Sequence, residues 1–384
     1  MKILCINPGS TSTRIAVFDE DKKVFITNIT HANEDLEKMG DVQGQLEYRY
    51  DMIADTLREN GISVSDMDAV VGRGGALRPM GGGIFSINEA MLADCRSGKY
   101  SEHPSNLGCQ LAKRFADGAS IPSFVVDPPL VDEFDECSRY SGFEPIRRIS
   151  AFHALNEKIV ARYIAQKLER PLEELNLITV HLGSGISVTA HRKGRCVDNT
   201  FGSGGDGPFS PERAGRMPVL ELARRMSKSP ESKNPAAWKK LFSKQSGLVS
   251  YLGTNDVLKI TERMESGDAL AKDLLDGMAH MIAREIAAYA AGLEWQVDGI
   301  GITGAIARSG YIVGILQRET AFIAESFVFP GEFEMEGLAD GGLRALRGEE
   351  VKEAQNESSR KNTVRRLRRP GHPFHRKDLC RRLH

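Results

Sequence analysis

No run of ~18 apolar residues occurs in the 384-residue sequence, so no segment has the length of a membrane-spanning helix. There is no CxxC pair either, and no cysteine spacing that suits a metal. Cys5, Cys95, Cys109, Cys137, Cys196 and Cys380 are scattered, as expected of reduced thiols in a cytoplasmic protein. The opening Met-Lys leads directly into an apolar run, without the h-region and cleavage site of a secretory leader. Two phosphate-binding signatures are missing as well. Neither GxxxxGK[ST] nor a strand followed by GxGxxG and a helix is present, which disfavours P-loop and Rossmann nucleotide sites. Charge of one sign is also lacking: 51 basic and 52 acidic residues leave a net −1, so no polyanionic partner is indicated. That balance conceals an asymmetry. Residues 355–384 carry ten Lys/Arg against two acids, and the rest of the chain stands at −9. The tail is either an arm for an anionic surface or an extension with no part in the main activity. Its lack of apolar periodicity favours the second, and the ordered body is expected to end near Lys352.

What is present is an ordinary globular composition, 41% apolar and 27% charged, in a chain long enough for two domains, since single cores stop growing at roughly 250–300 residues. Strands are expected at 2–7, 14–19 and 23–31, and a polar helix at 44–60. "DAVVGRGG" (68–75) reads as a buried strand entering a glycine loop, and "IPSFVVDPPLVDEF" (121–134) as a buried strand stopped by Pro128 and Pro129. Helical spacing begins near Phe152 and runs to 168, and further helices are expected at 267–293 and 334–347. Met278 and Met281 on the long helix share the spacing of Ile282, Ile286 and Tyr289 and read as core. The segment 175–197 repeats the opening pattern: strand, small polar glycine turn, alternating strand, charged turn, strand. A repeat at ~170 residues points to two similar domains.

The turn between the first two strands holds Asn7, Gly9, Ser10, Thr11, Ser12 and Thr13, with Arg14 after it. Converging backbone N–H groups and hydroxyls suit an anion such as phosphate, although many hairpin turns are rich in glycine and serine without binding one. "HLGSG" (181–185) places a second such turn at the equivalent point. Two facing hairpins of this kind would clamp the phosphates of a nucleotide. A third glycine turn, "GITGAIA", starts a helix as an adenosine pocket would.

The ordered set "INPGSTST", "VGRGG", "EHPSNLG", "HLGSGIS", "GPFSPERAG", "YLGTND", "GITGAIA" and "GEFEMEGLADGGLRAL" resembles the butyrate kinase branch of the acetate kinase family, within the actin/sugar-kinase/heat-shock ATPase superfamily. The resemblance spans roughly nine-tenths of the chain. It implies an α/β fold of duplicated actin-like (ribonuclease H-like) domains with a nucleotide cleft between them. The expected division is 1–149, completed by 334–352, on the acceptor side, and 150–333 on the nucleotide side, with 355–384 as a tail. The implied reaction is reversible transfer of the ATP γ-phosphoryl to a short-chain fatty acid carboxylate. Acetate, propionate or a branched acid are the alternatives to butyrate, and a nucleotide-switched ATPase without an acyl acceptor is a more distant one. Phosphoryl transfer between two anions calls for positioning and charge neutralisation, which arginine forks supply.

By resemblance, Arg73 holds the acceptor carboxylate, Arg213 the transferring phosphoryl, His153 donates to its equatorial oxygens, and Asp127 orients the arginine. Any one of these alone would more often be a surface arginine or a satisfied helix histidine. His103 matches a further family histidine. The nucleotide is expected at Asn7, Ser10, Thr11, Ser12, Arg14, His181, Gly183, Ser184, Gly185, Asp256, Gly304, Ala305 and Ile306. The family usually has glycine where Ala305 stands, so its methyl is expected to crowd the adenine side. Magnesium is assigned to Asn7 and Glu334, and the latter reads equally well as a first-turn helix acid. Gly75 and Phe152 are expected to shape the substrate pocket; where acetate kinases resemble one another in having valine, Gly75 would leave room for a longer acid. The expected partners are small molecules, ATP/ADP with a carboxylate or acyl phosphate, in a homo-oligomer without nucleic acid or membrane.

Overall fold

The computed structural model describes residues 1–200, 205–230 and 233–354. The basic tail 355–384, with Cys380, lies outside the described residues. Two mixed sheets organise the chain. The first holds β1 (Lys2–Pro8), β2 (Ser12–Asp19), β3 (Lys22–Thr30), β4 (Ala69–Gly72), β5 (Ile84–Ser86) and β6 (Ser123–Val126). The second holds β7 (Asn176–Leu182), β8 (Ile186–Arg192), β9 (Arg195–Asn199), β10 (Gly299–Gly304) and β11 (Ser326–Pro330). A short β12 (Val351–Lys352) returns to the edge of the first sheet, beside β5.

The repeat read from the sequence is a repeat of topology. The first sheet runs β12-β5-β6-β4-β1-β2-β3 and the second β11-β10-β7-β8-β9. In each, an antiparallel three-strand meander continues into two parallel strands, so β1, β2, β3, β4 and β6 correspond to β7, β8, β9, β10 and β11. Even the irregularity is shared: register slips at Val17/Phe18 in one meander and at Ala190/His191 in the other.

Both sheets are covered on both faces, which is why their inner strands are continuously apolar. Alternation assigns the faces. Leu4 and Ile6 meet Ile53 and Leu57 of the helix Leu46–Glu59 and Leu111 and Phe115 of the helix Leu107–Ala119. Ile3 and Cys5 point the other way, onto Met335, Leu338 and Leu343 of the helix Glu334–Leu346. In the second sheet Ile178 and Val180 pack on the long helix Ala269–Gly292, and Leu177 on Val160 and Ile164 of the helix Ala154–Lys167. Met278 is fully buried there, whereas Met281 is only half-buried. The body continues slightly past Lys352: Ala354 is buried, and its carbonyl accepts from Asn88 Nδ2 at 3.0 Å. Among the described residues no helix is long and apolar enough to cross a membrane.

Candidate active site

A cleft of about 620 Å³ opens where the carboxyl ends of β1 and β4 meet residues of the second sheet's half. Its walls carry three guanidinium groups, Arg14, Arg73 and Arg213, two histidines, His103 and His153, two carboxylates, Glu332 and Glu334, and Asn7. Ala76, Pro8, Pro129 and Leu130 supply an apolar stretch. Of the residues expected from sequence, the fold therefore brings Asn7, Ser12, Arg14, Arg73, His103, His153, Arg213 and Glu334 together.

Local structure explains each placement. Asn7 stands near the end of β1, opposite Arg14 on β2. The turn between them is closed by Gly9 N–H donating to the Ser12 carbonyl at 2.7 Å. Behind it lies Arg49, fully buried, which donates to the Ser12 carbonyl (3.1 Å), Thr13 Oγ1 (2.9 Å) and the Ser10 carbonyl (3.2 Å). Ser10 and Thr11 remain exposed at the tip. Arg73 follows β4 directly and pairs with Glu334 Oε1, while Asn7 Nδ2 donates to Glu334 Oε2 at 2.8 Å. Burial pushes the Glu334 carboxyl up, but Arg73 and the Asn7 amide outweigh it and hold it below the usual carboxylate range. Glu332, by contrast, is raised by burial and by its neighbour Glu334.

His153 immediately precedes the helix Ala154–Lys167, and its ring stacks on His181 with centroids 3.7 Å apart. Burial, then the charges of its surroundings, depress the His153 pKa well below the ordinary value. His181 is held at about 4, chiefly by burial. His181 Nδ1 meets Asn156 Nδ2 at 3.0 Å, and Asn156 Oδ1 accepts the Phe333 N–H at 2.6 Å, which ties the β7 end to the start of the helix carrying Glu334. His103 Nδ1 accepts the Ser105 N–H at 3.1 Å, and its pKa is lowered by burial and by Arg73. Arg213 lies over the β7–β8 turn: a Cβ on Gly185 would come within 2.0 Å of its Nη1. Gly183, Ser184, Gly304, Ala305 and Ile306 sit at the adjoining ends of β7 and β10, which pair in parallel at His181 and Thr303. Ala305 opens a short 3-10 turn and is exposed.

Three expectations change. Asp127 does not orient Arg73; its Oδ1 accepts the Gly83 N–H at 2.7 Å, and the carboxylate holding Arg73 is Glu334. Gly75 does not enlarge a pocket. A Cβ there would lie 2.4 Å from Asn106 Cα and 2.7 Å from its nitrogen, so the missing side chain is already filled by backbone. Phe152 is buried in a separate small cluster with Val131, Ala154 and Cys196 instead of lining the cleft. Asp256, expected on the nucleotide side, also caps the helix Val257–Glu265, its Oδ1 accepting from the Leu258 and Lys259 N–H groups. Sequence reasoning missed Glu332, although it lies two residues before Glu334, and it missed Arg49, whose partners in the turn are 36 to 39 positions away.

The acetokinase family model matches residues 139–318 of the chain. The structure is similar to a propionate kinase from Francisella tularensis subsp. tularensis SCHU S4, at 18% identity and TM-score 0.69, over 88% of this chain and 98% of that one. It is also similar to the acetate kinase of Porphyromonas gingivalis, at 17% identity and TM-score 0.70, over 90% and 99%. For the acetate kinase of Entamoeba histolytica the values are 17% and 0.69, over 89% and 99%. The duplicated sheets are thus the actin-like ATPase fold of these acetate and propionate kinases, and over residues 139–318 the chain carries the sequence pattern of the acetokinase family.

Proposed function

We propose that this protein is a carboxylate kinase that transfers the γ-phosphoryl of ATP to a short-chain fatty acid, and runs in reverse from acyl phosphate and ADP. The observation that carries this reading is the joint presence of Arg14, Arg73 and Arg213 with two neutralised histidines in one cleft. Two anions must approach in line, and arginine forks are suited to carboxylate and phosphoryl oxygens. Residues 1–149 with 334–352 form the acceptor side in this reading, and 150–333 the nucleotide side. The turn from Gly9 to Ser12 and the turn from Gly183 to Gly185 face the phosphates, with Gly304 to Ile306 toward the adenosine. Arg73 anchors the acceptor carboxylate and Arg213 the phosphoryl group. No general base is needed, because the acceptor acid is already ionised at neutral pH.

The chain's own oxygen donors suit magnesium, the cofactor that the resemblance implies. Asn7 commits its amide N–H to Glu334, which leaves Oδ1 available, and the Glu334 carboxylate is ionised; hard oxygen ligands of this kind are what magnesium takes, largely through water. When bound, the ion would neutralise nucleotide phosphate charge. Arg73 and Asn7 keep the carboxylate in place.

Butyrate is the proposed acid, on the strength of the ordered motifs. Acetate or propionate is the second reading, favoured by the names of the similar structures. With Gly75 packed against Asn106, chain length is read by Ala76, Pro129 and Leu130. A panel of kcat/KM values over acetate, propionate, butyrate, isobutyrate and valerate tests the choice. A maximum at butyrate supports the proposal; a maximum at acetate or propionate replaces it with the second reading. Because one methylene is worth only about 10–200-fold, the panel is expected to be graded.

A further inference from the structure

A neutral imidazole carries a single hydrogen, on one nitrogen or the other, and only the nitrogen that bears it donates. For His153 the choice is tied to a chain of buried groups that leads away from the cleft. Its Nδ1 lies 2.7 Å from Ser187 Oγ on β8. Ser187 Oγ is in turn hydrogen-bonded to Glu157 Oε1, one turn further along the same helix, and both Ser187 and Glu157 are fully buried. The second Glu157 oxygen accepts from Thr179 Oγ1 at 2.7 Å, and that hydroxyl lies 2.7 Å from His191 Nε2. Among the described residues His153 Nε2 has no protein partner, and the residue lines the cleft.

Two arrangements satisfy His153 Nδ1, Ser187, Glu157 and Thr179 together. With Glu157 ionised, Ser187 and Thr179 both donate to it, Ser187 accepts from His153 Nδ1–H, and a bare Nε2 lone pair remains. With Glu157 protonated, it donates to Ser187, Ser187 donates to Nδ1, and the hydrogen sits on Nε2. The two differ by one proton: it enters at Nε2, the Nδ1 hydrogen passes to Ser187 Oγ, and the Ser187 hydroxyl hydrogen passes to Glu157. We propose that Glu157, acting through Ser187, is the positioning residue that selects which nitrogen of His153 carries its hydrogen, so that His153 offers an N–H to the phosphoryl group only when Glu157 is protonated. The role assigned to that N–H rests on the carboxylate-kinase reading of the cleft.

Burial pushes the Glu157 carboxyl up to about 7, against the pull of the Ser187, Thr179 and Thr189 hydroxyls, so both arrangements are populated near neutrality. Other charged and titratable groups face the relay from each element packed against it. On the same helix Lys158 is paired with Glu133 at 2.9 Å, and this pair also faces Cys196 of β9, whose thiol burial drives up, and Asp127 after β6. His181 on β7 is held at about 4 and His191 on β8 at about 3, both chiefly by burial. Arg73 and Arg213 face His153 from the cleft, and Glu334, on the helix packed against Ala154–Lys167, faces His181. The positive pair and burial keep His153 neutral, which is what makes its tautomer decisive.

The tautomer is readable without turnover. In the full-length protein labelled with 15N-histidine, with the His153 signal assigned by its loss in His153→Gln, the ring nitrogen shifts report which nitrogen bears hydrogen. The expected result is the Nε2–H form on the acid side of about pH 7 and the Nδ1–H form on the alkaline side. Ser187→Ala is expected to abolish this switch. Glu157→Gln, whose amide donates to Ser187 while its carbonyl accepts from Thr179, is expected to hold Nε2–H throughout. In the wild type kcat should fall about tenfold per pH unit above the switch, and Glu157→Gln should lose that fall. A single His153 tautomer across the range, or a switch that survives in Ser187→Ala, overturns the proposal; the second needs only a variant that leaves Glu157 in place. A chain that switches tautomer yet makes no acyl phosphate would instead retire the kinase reading and leave the relay standing.

Discussion

At the scale of single residues, the two arginines assigned to the reacting anions do not behave alike. Replacing Arg213 by alanine removes the charge proposed to meet the transferring group, and kcat is expected to fall about 10²–10³-fold, the usual cost of one charge-stabilising donor. Replacing Arg73 removes the countercharge of Glu334 as well. That variant should lose activity and also about 1–3 kcal/mol of stability, because it strands a half-buried carboxylate that then keeps only the Asn7 amide. Parallel kinetics and denaturant titrations decide it; near-normal kcat and KM in either variant would remove that arginine from the mechanism. Gly75→Val tests the corrected reading of the loop. Its side chain would run into the Asn106 backbone, so a loss of about 1–3 kcal/mol or more is expected, with no new preference for small acids. A variant of unchanged stability that turned toward acetate would restore the pocket-size reading. Arg73, Arg213 and His153 were legible in the sequence because each sits in a short stretch whose neighbours identify it. Gly75 was misread for a physical reason: an absent side chain looks like space, and only the fold shows what fills it. Glu157 and Ser187 carried no signal, since a buried acid 30 positions from its hydroxyl partner has no local pattern.

At the scale of elements, the paired turns after β1 and β7 are equivalent in topology but braced differently. The first is held from behind by Arg49, the second is overlaid by Arg213. Gly185→Ala therefore acts on a neighbour: its methyl displaces a flexible guanidinium, leaving the strands intact. A shift of about 1 Å in a positioning group can cost about 10²-fold in rate, so kcat should drop with little change in the thermal midpoint. An unaltered kcat would show that Arg213 does not work from the position described. The meanders, the helix Ala154–Lys167 and the helix Glu334–Leu346 were readable because periodicity is local. The strands β5 and β12, of three and two residues, are too short to show a period, and their pairing joins positions 84 and 351.

At the scale of the whole molecule, burial of neutral histidines makes stability depend on pH with a definite sign. His31 and His181 are held at about 4 and His191 at about 3, all below the unfolded value of about 6.5. Below that value the unfolded chain binds protons that the fold does not, so stability is full above about 6.5 and declines as the pH falls toward 4. Glu157, raised to about 7, acts in the opposite sense between about 4.5 and 7. His153 and His103 are depressed as well, chiefly by burial, and Glu332 is raised like Glu157. Five depressed histidines outweigh these two raised carboxyls, and the thermal midpoint is expected to be lower at pH 5 than at 7.5; the reverse order would mean that these histidines are not buried as described. The proposed work of this cleft is to join a phosphoryl group to a carboxylate. Its most direct test is ATP consumption by the purified protein with magnesium and hydroxylamine, with and without butyrate. Acyl hydroxamate and ADP are expected in equal amounts, both dependent on the acid and both about 10²–10³-fold slower to form in Arg213→Ala. ADP formed at the same rate without the acid, and no hydroxamate with it, would mean that the cleft does not phosphorylate a carboxylate.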